Sequence, residues 1–234
     1  MSTERVPVDD PDAVRRILAN ADALLLDFDG PICDVFAGLP AHVVADQLRR
    51  VLAEGGHDEL PAAVEKSEDP FDVFYYAATL GDEEARYVEA SQRAHEVEAV
   101  ASSTPIPYAH DLIGRWHTSG RMVAVVSNNS AAAVETYLHL HELTARIDCV
   151  SARDDFDPSH LKPNPFLIQR VCEHFKISAT RSVMVGDSST DIQAAHAAGT
   201  PVIGYANRPD KLDLLASKTP QAIVTDLAYL YNAL

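Results

Sequence analysis

Four short polar segments of this sequence contain the residue types that nucleophilic catalysis and metal binding require. Three of them directly follow apolar runs that predict buried strands, and the other precedes a predicted helix. In doubly wound sheets, ligands bind in the crevice beyond the carboxyl ends of the strands. We therefore expect four segments to converge there: Asp27-Phe28-Asp29-Gly30, Ser127-Asn128-Asn129, Lys162-Pro163 and Gly186-Asp187-Ser188-Ser189-Thr190-Asp191.

The acidic residues of these segments would fill the crevice with negative charge. The segments bring a single lysine, Lys162, against four carboxylates: Asp27, Asp29, Asp187 and Asp191. Carboxylates crowded in this way cannot all stay ionised without a cation. Hard oxygen ligands suit Mg²⁺, which shares its coordination shell with waters and a substrate phosphate. The sequence therefore predicts a Mg²⁺ site in the crevice.

The first segment offers two carboxylates with separable roles. Asp27 and Asp29 are two residues apart, so on extended chain both side chains point to the same side, away from Phe28. One carboxylate can then act as the nucleophile while its neighbour transfers protons. Gly30 permits a sharp turn directly behind them, which would expose both groups.

Strands and helices alternate along most of the chain. Apolar runs predict strands at residues 23–28, 122–127, 182–185, 201–205 and 222–225, with a weaker candidate at 147–150. Amphipathic or capped stretches between them predict helices at residues 108–119, 130–141, 165–175 and 190–198. This alternation indicates βαβ units, and it predicts an α/β fold with a doubly wound, mostly parallel sheet and a Rossmann-like core.

One interval, residues 35–103, breaks the alternation. It contains no convincing strand, and its clearest helix-like stretches are residues 41–54 and 82–101. We therefore predict an inserted helical cap domain at residues 33–104 and a catalytic core formed by residues 1–32 and 105–234. The flanking turn-rich segments suit a hinge. Four aromatic residues are expected to form the cap's own core: Phe71, Phe74, Tyr75 and Tyr76.

Taken together, the four segments resemble the four motifs of the haloacid dehalogenase superfamily. Residues 27–34 resemble the first motif, 126–128 the second, 161–165 the third and 186–191 the fourth. The resemblance extends over nearly the whole chain. The helical insertion resembles the cap of phosphoglycolate-phosphatase-like and β-phosphoglucomutase-like members. Pro31 stands where the family usually has Thr, which removes a supporting hydroxyl but no primary catalytic group.

The resemblance implies a phosphatase that hydrolyses a small phosphorylated metabolite through an aspartyl-phosphate. Asp27 would attack phosphorus. Asp29 would protonate the leaving alcohol and later activate water. Lys162 would stabilise charge on the nucleophile and on the transferring group. Asp191 would orient Lys162 or the outer shell of the metal.

The same resemblance implies how phosphate and metal are bound. Ser127, with backbone amides near Asn128, would bind the phosphoryl oxygens, and Lys162 would contact them as well. Mg²⁺ would be held by Asp27, the backbone carbonyl of Asp29, and Asp187.

Other functions use parts of the same machinery. A phosphomutase of the β-phosphoglucomutase type has the same nucleophile and cap but passes the phosphoryl group to a sugar hydroxyl. A haloacid dehalogenase would need neither Asp29 nor a metal. A phosphonatase would need a cap lysine, and Lys66, the cap's only lysine, has no supporting motif. A catalytically inactive binding protein would have no use for the intact set of acidic residues and Lys162.

Composition limits the partners. The formal charge of −16, from 19 basic and 35 acidic residues, opposes binding to nucleic acid and to anionic membranes. No apolar run approaches the roughly 20 residues of a membrane span, and the N-terminus does not resemble a signal peptide. The three cysteines are too scattered for a disulfide framework. We expect a cytoplasmic monomer or homodimer that acts on a small phosphate ester.

The predicted cap is poor in cations, and this bears on the substrate. Residues 31–105 contain five basic residues, Arg49, Arg50, Lys66, Arg86 and Arg93, among many acids. A second strongly anionic group on the substrate is therefore disfavoured, and a neutral or hydroxylated leaving group is expected.

Overall fold

The computed structural model describes residues 5–234, in which eight strands occur. They are β1 (Ala23–Leu26), β2 (Cys33–Asp34), β3 (Thr104–Pro105), β4 (Met122–Ser130), β5 (Cys149–Arg153), β6 (Ser182–Gly186), β7 (Val202–Tyr205) and β8 (Ala222–Val224). Six of them form one parallel sheet in the order β5-β4-β1-β6-β7-β8. The predicted α/β fold with a parallel sheet is confirmed.

Helices cover both faces of this sheet. The described helices are α1 (Pro11–Ala19), α2 (Ala41–Glu54), α3 (Ala62–Glu65), α4 (Pro70–Leu80), α5 (Asp82–Val100), α6 (Ala109–Thr118), α7 (Ala131–Leu140), α8 (Phe166–Phe175), α9 (Ser189–Ala198), α10 (Lys211–Ala216) and α11 (Ala228–Ala233). None of them is long and apolar enough to cross a membrane.

The central strand β1 shows how the two faces are built. Leu24 and Leu26 join the apolar cluster that includes α1, α6, α7 and α11, whereas Ala23 and Leu25 join the cluster that includes α8, α9 and α10. Successive side chains of a strand point to opposite faces, so a strand covered on both sides must be apolar throughout. The chain runs outward from β1 to β4 and β5, then crosses back to β6 on the other side of β1. The carboxyl end of β1 therefore lies where the strand order reverses, which is where ligands bind in such sheets.

The predicted strand at residues 147–150 lies further along the chain in the structure, as β5 (Cys149–Arg153). Its second half is polar, and an apolar pattern could not reveal it. Ser151 is buried and donates a 2.7 Å hydrogen bond to the carbonyl of Leu167. Arg153 is also buried, with acidic partners on α5. Likewise β4 continues to Ser130, three residues beyond its predicted end, with an irregularity in its pairing between Ser127 and Ser130.

Helices α2 to α5 occupy the interval between β2 and β3. These two short strands pair antiparallel, with Cys33 opposite Pro105 and Asp34 opposite Thr104, and they bring the ends of the helical segment together. The helices share an apolar cluster of their own, which includes Leu48, Leu52 and Phe74. The helix α2 has the predicted limits. The division into a cap at residues 33–104 and a core formed by the rest stays a prediction.

Candidate active site

The carboxyl ends of β1, β4 and β6 form the floor of a cleft of about 220 Å³. In-register pairing aligns these strand ends, because Leu26 lies beside Val125 on one side and Val185 on the other. The backbone N–H of Asp27 continues this ladder with a 2.9 Å hydrogen bond to the carbonyl of Val185. Of the predicted site residues, the cleft is lined by Asp27, Asp29, Asn128, Lys162 and Asp187.

Lys162 holds the centre of the site. Its Nζ lies 2.8 Å from Oδ1 of Asp27 and 2.6 Å from Oδ1 of Asp191, and it donates a 3.1 Å hydrogen bond to the carbonyl of Val126. Burial by itself lowers the pKa of this ammonium, but Asp191 and Asp27 outweigh burial, and the pKa lies above its usual value. Lys162 is therefore a fixed positive charge beside Asp27.

Asp191 anchors Lys162 from below the cleft. It is fully buried at the first turn of α9, and its Oδ2 accepts hydrogen bonds from both the N–H and the hydroxyl of Ser188, at 3.0 and 2.6 Å. Ser188 in turn caps α9, so the pair forms a capping box. One carboxylate oxygen thus fixes the helix and the other fixes Lys162.

Asn128 connects the second and third motifs. Its side-chain carbonyl accepts the N–H of Lys162 at 2.8 Å, and its amide donates to the carbonyl of Lys162 at 3.0 Å. Both ends of the side chain therefore help to hold Lys162, and the second N–H of the amide and the backbone of Asn128 are left for the predicted phosphate contact. Ser127 is fully buried below the cleft, and its hydroxyl exchanges hydrogen bonds with Asn129. The predicted phosphate-binding role of Ser127 and Asn128 stays a prediction.

Asp27 and Asp29 occupy different environments. Oδ1 of Asp27 faces Lys162 and also accepts the N–H of Phe28 at 2.7 Å. Burial and the nearby carboxylate of Asp191 raise the pKa of Asp27 well above its usual range, although Lys162 opposes this. Oδ1 of Asp29 accepts the N–H of Val35 at 3.0 Å. Burial raises the pKa of Asp29 to about 7, against the effect of that hydrogen bond.

Three carboxylates come close enough to share a cation. Asp27, Asp187 and Asp191 each offer an oxygen within 4.8 Å of the others. The side chain of Asp29 is not in this group, and its predicted contribution is a backbone carbonyl. A set of carboxylate oxygens alone suits a hard cation such as Mg²⁺. Burial also raises the pKa of Asp187, which shows that its negative charge is costly in this setting.

The expectation that Lys162 alone offsets the acidic residues is wrong. Lys211, at the start of α10, forms an ion pair with Oδ2 of Asp187, and Asn207 donates to the same oxygen at 3.1 Å. No motif marks these two residues, because they follow a different strand, β7. With all four carboxylates ionised, the two lysines would leave two negative charges, which a divalent cation would balance; the raised pKa values of Asp27, Asp29 and Asp187 reflect the cost of those charges without one. The donor set and its charge therefore both fit Mg²⁺.

Two glycines allow the motifs to approach this closely. A Cβ on Gly30, whose φ is +110°, would lie 2.3 Å from Cγ of Asp187. A Cβ on Gly186 would lie 2.4 Å from Cβ of Asp191. Both distances are far below any real Cβ contact, so a side chain at either position would displace an acidic residue of the site.

A buried polar network behind the cleft joins α5 to the sheet. Glu96 is fully buried; its Oε2 lies 2.8 Å from Nη2 of Arg153 and accepts the N–H of Ser130 at 2.8 Å. Its Oε1 accepts a longer contact, 3.4 Å, from the amide of Asn129, which lines the cleft. Glu89 lies 3.5 Å from Nε of Arg153. The network thus connects the predicted cap directly to the loop after β4.

The aromatic residues of α4 divide between two environments. Phe74 is buried in the cluster of helices α2 to α5, as predicted. Phe71 and Tyr76 are partly buried and pack against the same cluster, as predicted. Phe71 and Tyr75 also line the cleft, together with Asp69, which the prediction of a cap core did not include. Residues 69, 71 and 75 lie on one side of the helix start, and helical spacing alone cannot tell whether such a side faces a core or a ligand.

The whole chain was compared with known proteins. A family model described as haloacid dehalogenase-like hydrolase matches residues 24–205. A phosphoglycolate phosphatase from Aliivibrio fischeri is 30% identical over 128 residues, which are 55% of this chain and 56% of that relative. The chain thus spans about half the length of the first relatives it matches. Another phosphoglycolate phosphatase, from Nitrosospira multiformis, is 26% identical over 206 residues, 82% of this chain and 88% of the relative.

Solved structures share the fold at low sequence identity. A predicted phosphoglycolate phosphatase from Haemophilus somnus superposes with a TM-score of 0.65 at 20% identity, covering 91% of this chain and 97% of the other. A predicted phosphatase from Clostridium acetobutylicum superposes with a TM-score of 0.68 at 15% identity, covering 90% of this chain and 96% of the other. At these identities the likeness concerns the fold alone.

The buried network gives a stability prediction. Glu96→Gln removes the negative charge that faces Arg153 and leaves a buried guanidinium with only the more distant Glu89. Breaking a buried ion pair from one side typically costs 3 kcal/mol or more, so we expect about 3 kcal/mol less unfolding free energy in urea titrations. Glu98→Gln is the matched control, since Glu98 lies on the same helix with its side chain 73% exposed. Equal, small effects of both substitutions would contradict the prediction.

Proposed function

Since this chain belongs to the haloacid dehalogenase-like hydrolase family, as its four motifs predict, we propose that it is a magnesium-dependent phosphatase acting through an aspartyl-phosphate on Asp27. The observation that carries the proposal is the placement of Lys162 between Asp27 and Asp191 at the point where the strand order reverses. The similarity to proteins named phosphoglycolate phosphatase supports a phosphate monoester as substrate.

Asp27 is the proposed nucleophile. Its Oδ1 is held by Lys162 and the N–H of Phe28, whereas Oδ2 accepts no hydrogen bond from any residue in 5–234. Oδ2 can therefore form the new bond to phosphorus as the bond from phosphorus to the leaving oxygen breaks. Lys162 stabilises the negative charge that develops on the phosphoryl oxygens, and it is already in place before the reaction.

Asp29 is the proposed proton carrier. It lines the same cleft two residues beyond Asp27, with Oδ1 fixed by the N–H of Val35. In the first step it donates a proton to the leaving alkoxide. In the second it accepts a proton from the water that attacks phosphorus, and the bond between phosphorus and Asp27 breaks. The enzyme returns to its starting state with inorganic phosphate released.

Asp27, Asp187 and the backbone carbonyl of Asp29 are the proposed Mg²⁺ ligands. Asp191 is close enough to join them, but both of its oxygens already hold Lys162 and Ser188. When bound, Mg²⁺ supplies positive charge for the phosphoryl oxygens. Lys211 and Asn207 hold Asp187 in place on the far side.

The nucleophile is tested by Asp27→Asn. The amide matches the carboxylate in size but cannot form an acyl-phosphate, so turnover of p-nitrophenyl phosphate should fall below detection. The melting temperature should not fall, because the charge of Asp27 is disfavoured by burial and Lys162 keeps Asp191 as its partner. Asp12→Asn, on the exposed face of α1, is the control and should retain full activity. Appreciable turnover by Asp27→Asn would rule out this nucleophile.

The metal is tested by titration and chelation. We expect turnover to stop in EDTA and to return with Mg²⁺, and we expect calorimetry to detect Mg²⁺ binding without substrate. Asp187→Asn should weaken that binding more than about tenfold, since even loss of an outer-shell partner costs this much. Asp210→Asn serves as control, because Asp210 is exposed and pairs only with Arg208. Full activity in chelator would refute the metal requirement.

The proton carrier is tested by how Asp29→Asn depends on the leaving group. An alkyl alkoxide needs a proton to depart, whereas p-nitrophenolate does not. The pre-steady-state burst should therefore fall by about 10²- to 10⁴-fold for a sugar phosphate, and far less for p-nitrophenyl phosphate. Burst measurements are needed because activation of water in the second step slows for both substrates. The same loss for both bursts would show that Asp29 is not the acid.

A further inference from the structure

The wall of the cleft opposite the motifs comes from the start of α4. Asp69, Phe71 and Tyr75 line the same cleft as Asp27 and Lys162. A substrate whose phosphorus lies next to Asp27 would have these three side chains, which we call the leaving-group wall, within the same cleft as its leaving group.

Asp69 has a fixed position in this wall. It is the N-cap of α4, and its Oδ1 accepts the N–H of Phe71 at 2.9 Å. No residue in 5–234 forms a salt bridge with it. Asp69 is exposed to solvent and lines the cleft, so its negative charge lies at the cleft without a paired cation. Phe71 and Tyr75, whose ring centroids are 6.4 Å apart, form an apolar surface beside it.

The cations near the cleft are already paired. Lys162 is shared between Asp27 and Asp191. Arg153 is buried behind the wall, 5.7 Å from the ring centroid of Phe71, and it is paired with Glu96 and Glu89. Among the residues that the structure describes, Lys162 is the only cation that lines the cleft. A carboxylate on the leaving group would thus meet Asp69 with nothing to offset the repulsion.

We propose that Asp69 is a specificity residue that excludes anionic leaving groups, so that the substrates are phosphate esters of alcohols without a carboxylate. This inference rests on the proposed phosphatase activity. It separates this chain from the relatives named phosphoglycolate phosphatase, because the alcohol esterified in phosphoglycolate carries a carboxylate. An uncharged hydroxyl or an ammonium group suits the wall, since the first is tolerated and the second is attracted by Asp69.

The test uses three esters that share one two-carbon skeleton and differ in charge: 2-phosphoglycolate, 2-hydroxyethyl phosphate and phosphoethanolamine. For each ester, kcat/KM is measured for the wild-type enzyme and for Asp69→Asn. The ratio of the two values cancels the intrinsic reactivity of each leaving group. Asn is as good an N-cap as Asp, so the variant removes the charge and keeps the cap of α4.

We expect Asp69→Asn to raise kcat/KM for 2-phosphoglycolate about tenfold. The kcat/KM for 2-hydroxyethyl phosphate should stay nearly unchanged, and the kcat/KM for phosphoethanolamine should fall. Asp69→Ser, another neutral N-cap, should behave in the same way. Asp72→Asn is the matched control. Asp72 also lies in the first turn of α4 and is exposed like Asp69, but it accepts a hydrogen bond from Ser67 and does not line the cleft. The three kcat/KM ratios should therefore stay near one.

Equal ratios for all three esters in Asp69→Asn, or a wild-type preference for 2-phosphoglycolate over the other two, would overturn the proposal. Failure of the proposed function would look different, because then neither these esters nor p-nitrophenyl phosphate would be hydrolysed by the wild-type enzyme. Melting temperatures of all variants show whether a changed ratio reflects specificity or loss of the fold.

Discussion

The contact of one buried ammonium, Lys162, with Asp27 and Asp191 is the interaction on which the rest of the site depends. A buried charge is costly unless it is paired and hydrogen-bonded, and each partner here is fixed by a different part of the sheet. Asp27 follows β1, Asp191 begins the helix after β6, and Asn128 after β4 holds the backbone of Lys162. Moving the end of β1 or β6 would remove one of the two carboxylates from the ammonium, and moving the end of β4 would release the backbone of Lys162.

Much of this arrangement could be predicted from the sequence, because it follows from local pattern. Apolar runs indicate the strands, and the residues directly after parallel strands must lie at one edge, so Asp27 and Asp187 could be brought together without coordinates. Lys162 follows β5 only after an irregular segment, and its place at the site was implied by the family resemblance. The two-residue spacing in the first motif and the capping residues of α9 are equally local. Both limits of the helix α2 agree with the prediction, because its amphipathic stripe packs against a single apolar cluster.

The residues that could not be predicted are those whose role depends on distant partners. Arg153 lies 57 positions from Glu96, and a polar residue at the end of a buried strand contradicts the apolar pattern that locates strands. Lys211 meets Asp187 only because β7 lies next to β6 in the sheet. The sequence around Asp69 indicates an ordinary helix N-cap, and Asp69 is the N-cap of α4. Nothing in their immediate sequence distinguishes these residues from surface charges.

Electrostatics also shows how an acidic protein could bind the anionic substrate proposed for it. A chain with a formal charge of −16 repels phosphate esters at long range, so binding must come from charges within the cleft, where burial reduces screening. Lys162, Lys211 and a divalent cation would all lie on the phosphate side, below the strand ends. The opposite wall contains Asp69 and two aromatic rings and no free cation among the described residues. The two ends of the cleft therefore differ in charge. In the proposed reaction, the end with Lys162 would attract the phosphoryl group, and the end with Asp69 would disfavour negative charge on the leaving group. In the proposed mechanism, a proton delivered by Asp29 to the leaving oxygen would remove the charge that would otherwise develop beside Asp69. The proposed general acid and the acidic wall would then support each other.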